Sequence, residues 1–182
     1  MKKRIAFALA FVFALLLLAG CGGSNSSSSS SPVTPAVSSE GASVAAPYDV
    51  DALLAAIAPA ANLGDGPVTM VLLDLTAGGD VTRGDVLAMA GQKSADYYEN
   101  GGMVIVLQVQ PGRADSLKGE LELFRDAQVL FLQQYPEFQD GIANTQNAYI
   151  YVNGDYVVYA VSTTAAGEGN QALIDAVDAA FA

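Results

Sequence analysis

An α+β domain, a mostly antiparallel sheet of three to four strands with helices packed on one face, is what this chain predicts for its folded part. Three observations carry that expectation. Asn153-Gly154 sits between two alternating apolar runs, Ala148 to Val152 and Asp155 to Val161, which is the signature of a two-residue β-hairpin. Met103 to Val109 is apolar on both sides up to Leu107, as a central strand should be. Leu117, Leu121, Phe124, Phe131 and Tyr135 recur at three- and four-residue steps or their sums, marking one stripe of a long helix.

Taken in order, the folded part runs from Tyr48 to Ala182 as one domain, long enough for one hydrophobic core and not for two. Asp49 is a good N-cap for a helix whose face is Val50, Leu53, Leu54 and Ile57, and Pro59 with the Asn62 to Gly66 turn cluster should end it. Val68 to Leu73 reads as a strand. Residues 76 to 102 are broken by Gly78-Gly79, Arg83-Gly84-Asp85 and Gly101-Gly102, with a short helix expected around Asp85 to Ala90. Pro111-Gly112 turns the chain out of the central strand, and the long helix should span Ala114 to Gln134, since Pro136 disfavours helical geometry at Tyr135. A last helix from Gly169 to Phe181 presents Leu173, Ile174, Val177 and Phe181 on one side.

The hairpin yields the candidate binding surface. A turn at 153 and 154 sets Val152 opposite Asp155 and Tyr151 opposite Tyr156, so Tyr149, Tyr151 and Tyr156 share one face while Ile150, Val157 and Val161 share the other. If helices cover the aliphatic face, a tyrosine patch stays open to a partner. Elsewhere the carboxylates Asp74, Asp80 and Asp85 lack the spacing of a calcium loop and read as solvated. Glu120, Glu122, Arg125 and Asp126 form the polar face of the long helix, with Glu122 and Arg125 spaced to pair.

Composition removes whole classes of chemistry. There is no histidine, so no Ser-His-Asp triad, Cys-His pair or histidine metal ligand, and the one cysteine, Cys21, leaves no disulfide or zinc-cysteine site. Neither a phosphate loop nor a dinucleotide fingerprint is present; no cofactor and no metal are expected.

Cys21 itself closes the run Lys2-Lys3-Arg4, an apolar stretch from Ile5, then Leu18-Ala19-Gly20. This is a secretory signal, and Leu-Ala-Gly-Cys resembles the lipobox of bacterial lipoproteins, which implies cleavage before Cys21 and its lipidation. Residues 1–20 are then a signal peptide. Residues 21–47, with Ser26 to Ser31 unbroken and Pro32, Pro35 and Pro47 following, form a flexible tether of roughly 25–30 Å root-mean-square reach, leaving 48–182 as the domain. After cleavage five basic residues face 19 acidic ones, a net charge of −14. That balance argues against nucleic acid and against docking on anionic head groups, leaving the lipid on Cys21 as the membrane contact.

Further along, an aliphatic strand Val104 to Leu107, a long helix carrying Arg125 and Gln128 and ending Tyr135-Pro136, Asn147-Ala148, then Gly154 to Val158 and a helix ending near Phe181 resemble bacterial lipoproteins catalogued as domain of unknown function 4358. The resemblance implies this order of elements and an envelope address; it implies no activity or catalytic residue. Gly101-Gly102 stands where that family tends to carry an acidic residue.

The expected protein is therefore a lipid-anchored lipoprotein on the outer side of the cytoplasmic membrane of a Gram-positive bacterium. Its expected role is to bind or scaffold an envelope protein, peptide or glycan without catalysis. The alternative is a carboxylate-dependent hydrolase of an envelope polymer or peptide; a solute-binding role is disfavoured by the lack of a second lobe.

Overall fold

The computed structural model describes residues 48–75 and 84–182. Residues 1–47, where the signal sequence, Cys21 and the tether are expected, and Thr76 to Arg83 with Asp80 lie outside the described residues.

Five strands make one antiparallel sheet in the order β1 (Val68–Thr69), β2 (Val86–Lys93), β3 (Met103–Val109), β5 (Tyr156–Val161), β4 (Tyr149–Asn153). β3 is central, as its two-sided apolar sequence requires. It pairs with β2 through Ile105 opposite Gly91 and with β5 through Ile105 opposite Tyr159. Met103, Ile105, Leu107 and Val109 point to one face with Val157, Tyr159 and Val161. Val104 and Val106 point to the other with Tyr156, Val158 and Ala160.

Each face has its own helical cover. α3 (Ala114–Leu132) lays Leu117, Leu121 and Phe124 on the first face. α1 (Val50–Ala61) and α5 (Gly169–Ala180) cover the second with Leu53, Leu54, Ile57, Leu173 and Val177. The expectation of helices on one face is thus corrected. A strand apolar on both sides exposes a large apolar area unless both sides are covered, at roughly 25 cal/mol per Å² left in water.

Local chemistry accounts for several boundaries. Asp49 Oδ1 accepts from the Ala52 N–H at 2.9 Å, the capping expected for α1. Pro59 does not end that helix but lies in its last turn. The end comes at Asn62, the only non-glycine with positive φ among the described residues, at 53°. Thr163 N–H donates to Ala61 O and Thr163 Oγ1 to Asn62 O, both at 3.0 Å, so the orphan carbonyls dock α1 on the end of β5.

Four further expectations change. The Val68 to Leu73 strand is only two residues long before a 3-10 turn, Leu72–Leu75; short apolar runs do not determine their own state. The helix expected at Asp85 to Ala90 is β2, because Val86, Ala88 and Met89 pair with β3 and tertiary pairing overrides the helix preference of Ala, Leu and Met. Asp85, expected as a solvated carboxylate, is paired: its Oδ2 holds Arg113 Nη2 at 2.7 Å, tying the entry of β2 to the start of α3. On α3 itself, Arg125 pairs with the adjacent Asp126 at 2.9 Å rather than with Glu122.

The hairpin forms, two residues out of the expected register. Asn153 pairs with Tyr156 and Tyr151 with Val158, so Gly154 and Asp155 make the turn. Gly154 has φ 58° while Asp155 stays negative, the glycine-first form of a two-residue turn in place of the expected type I′. A slip of two leaves every side chain on its expected face. Tyr149, Tyr151 and Tyr156 do share one face.

Candidate binding site

That tyrosine face is not open. Tyr156 is 3% exposed and works as a brace: its hydroxyl donates to Tyr48 O at 2.8 Å, and its ring meets Tyr48 edge-on at 5.5 Å. Tyr48 Oη in turn donates to Phe181 O at 3.0 Å, clasping the first described residue to the end of α5. Tyr151 packs on Phe181 with ring centres 5.4 Å apart, and Tyr149 lies 6.0 Å from Tyr151. Both are half-buried. Burial, then the neighbouring Asp178 carboxylate and Tyr151, raises the Tyr149 phenol above its ordinary pKa. With helices on both faces, the C-terminal helix packs over this hairpin surface and the expected open tyrosine face is not present.

The exposed aromatic surface is elsewhere, where α2 (Tyr97–Asn100), the end of α3 and α4 (Gln139–Gln146) converge. Two of those helices were not anticipated from the sequence. α2 is a single turn held by side chains: Ser94 Oγ accepts from Asp96 N–H at 3.2 Å and from Asn100 Nδ2 at 2.9 Å, while Asn100 Oδ1 accepts from Gly102 N–H at 2.9 Å. Gly101 closes the turn at φ 71°. This pins Tyr97 inward, 7% exposed, and Tyr98 outward, 52% exposed.

α3 supplies the second wall. Its buried stripe continues through Leu132, so Phe131 and Tyr135, expected inside, are each 40% exposed. Beyond α3 the chain turns through Tyr135 and Phe138, and α4 packs back on α2. Gly141 makes that contact possible, because a β-carbon there would strike the Tyr98 carbonyl oxygen. Asn144 then locks the junction: its Nδ2 donates to Asn100 O at 2.9 Å and Thr163 O at 2.6 Å, and its Oδ1 accepts from Ala166 N–H at 2.9 Å.

The result is a closed circuit of four rings. Tyr98 lies 5.9 Å from Phe131, Phe131 5.5 Å from Tyr135, Tyr135 5.4 Å from Phe138, and Phe138 stacks on Tyr98 at 6.0 Å and 24°. Each spacing is in the range of a favourable aromatic pair.

A cleft of about 250 Å³ opens beside the circuit, with Tyr98 and Phe131 common to both. Met70, Met103 and Phe124 line it on the apolar side, and Lys93, Tyr97 and Gln128 supply its polar groups. Tyr97 Oη donates to Gln128 Oε1 at 2.9 Å, and Lys93 Nζ stands 5.7 Å from the Tyr97 ring centre. Burial, reinforced by Tyr98, pushes the Tyr97 phenol far above its ordinary pKa, so it is a neutral donor here.

Other surfaces offer less. A cleft of about 470 Å³ at the end of α1 is lined by Ala55, Pro59, Asn62, Asp65 and Gln92 among others, and one of about 480 Å³ by Arg125, Asp126, Val129, Leu130 and Gln146. Among the described residues, none of these three clefts brings two carboxylates together. Among the described residues no group of three His, Cys, Asp or Glu could hold a metal ion, and no helix is long and apolar enough to cross a membrane.

No protein-family model, curated protein or solved structure matches this chain.

Two signals in the sequence pointed to the circuit. Tyr97-Tyr98 is a doubled aromatic followed by turn residues, and Phe131, Tyr135 and Phe138 fall within eight residues around Pro136. Gln128 carried a signal for the cleft: it is a polar residue four positions from Phe124 and four from Leu132, on the buried stripe of the helix.

Proposed function

We propose that this chain is a lipid-anchored extracytoplasmic lipoprotein, held through Cys21, whose domain is a non-catalytic binding or scaffolding module of the cell envelope. Leu18-Ala19-Gly20-Cys21 and the serine-rich stretch after it support the address, and the likeness to the lipoproteins of domain of unknown function 4358 belongs to the same proposal. The ring circuit carries the binding role. Tyr98, Phe131 and Tyr135 keep 40–52% of their surface in water in a domain whose sheet is covered on both faces, and clustered exposed rings are the usual anchors of a recognition surface.

Cosedimentation of the purified chain with isolated envelope polymer tests this. Replacing Tyr98 and Tyr135 together by serine should weaken retention by about tenfold, given roughly 0.5–1.5 kcal/mol per aromatic contact. Unchanged retention, with far-UV circular dichroism also unchanged, contradicts the assignment.

A further inference from the structure

Among the described residues, the hydrogens that the cleft beside the circuit offers a ligand come from Lys93 and Gln128. Because Tyr97 donates to Gln128 Oε1, the Gln128 amide is oriented with Nε2, a two-hydrogen donor, left over. Lys93 brings an ammonium that faces the Tyr97 ring and makes no ion pair among the described residues. Among the described residues no carboxylate lines the cleft, although the chain has 19 acidic residues. An ammonium and an amide N–H₂ over an apolar base of Met70, Met103 and Phe124 complement an anion that carries an apolar group. Few polar atoms are available for the many hydroxyls of a sugar.

We infer that the cleft takes the free C-terminal carboxylate of a peptide whose last side chain is apolar, with the preceding residues lying on the ring circuit. The inference rests on the binding role proposed above and names its ligand. The volume, about 250 Å³, suits one side chain with its carboxylate. Tyr98 and Phe131, shared by cleft and circuit, give the peptide a continuous path from one to the other. Lys93 and Gln128 Nε2 then make charge-assisted hydrogen bonds to the carboxylate, which are stronger than neutral ones.

Titration calorimetry of the purified chain with acetyl-Ala-Leu-Phe tests it, as the free acid and as the C-terminal amide. The acid should bind about tenfold or more tightly than the amide. Lys93→Met should erase that preference while leaving the melting temperature unchanged, and Lys118→Met, at an exposed position on α3, should preserve it. Equal affinities of acid and amide in the unmodified protein overturn the inference, as does a preference that survives Lys93→Met. Tighter binding of a uronic-acid disaccharide than of the peptide overturns it as well. If neither peptide form binds, the peptide inference is wrong, and envelope cosedimentation decides the binding role separately.

Discussion

Phe124→Ala should destabilise the domain by about 3 kcal/mol, within the range for truncating a buried aromatic, and lower its melting temperature by on the order of 10 °C. Phe124 is 2% exposed and meets Tyr159 edge-on at 5.7 Å, where α3 rests on the centre of the sheet. Truncation removes that ring pair and leaves a void against Leu121, Ile105 and Tyr159. Because Phe124 also lines the 250 Å³ cleft, the void joins existing space and part of it can hydrate, which places the loss toward the lower end. Phe124→Leu keeps most of the volume and should cost less than about 1.5 kcal/mol. Urea unfolding followed by circular dichroism measures both, and a loss below 1 kcal/mol for the alanine variant contradicts this packing, taking about 1 kcal/mol as an ordinary single-substitution effect.

The second large effect is expected at Asn144, for a different physical reason. Asn144→Ala removes almost no apolar contact but strands the Asn100 and Thr163 carbonyls and the Ala166 N–H, which its amide joins. Unsatisfied buried groups cost about 1–3 kcal/mol each, and with partial rehydration the total should be about 3 kcal/mol. The consequence reaches the binding surface, because Asn144 holds α4 to the end of α2. Loosening it separates Phe138 from Tyr98, so the variant should also lose ligand retention. Asn147→Ala supplies the comparison: among the described residues its amide bonds only Ala143 O, at an exposed position, and its effect should stay within about 0.5 kcal/mol. Similar losses for the two variants contradict the bracing role.

Much of the fold was legible because its elements are locally determined. Asp49 caps α1 as its side chain predicts, Met103 to Val109 is central as two-sided apolarity predicts, and Gly154 turns the hairpin. What escaped is what depends on distant partners. β2 is built of residues that favour helix and is a strand only because β1 and β3 flank it. α4 has Ile142 as its one large buried apolar side chain and is held by Gly141 and Asn144 against α2, contacts that no helical period records. The sequence of β3 requires cover on both faces, but which helices supply it is decided by tertiary packing.

The binding surface shows the same divide. Tyr149, Tyr151 and Tyr156 fall on one face by strand alternation alone, which any register shift of two preserves. Whether that face is open depends on α5 and the Phe181 that follows it, which packs against Tyr151 and Tyr156. The ring circuit joins Tyr98 to Phe131 and Phe138 across more than thirty residues of chain, so its members could be noticed as aromatic but not as neighbours. Leu132 taking the inward position is what turns Phe131 and Tyr135 outward.

Site-specific photo-crosslinking in intact cells tests the central claim most directly. A photoreactive phenylalanine placed at Tyr98 should form an envelope adduct that the same probe at Tyr151, under α5, does not form. Adducts from Tyr151 in place of Tyr98, or none from Tyr98 with the protein folded and exported, would contradict the claim that the ring circuit is where this domain meets its ligand.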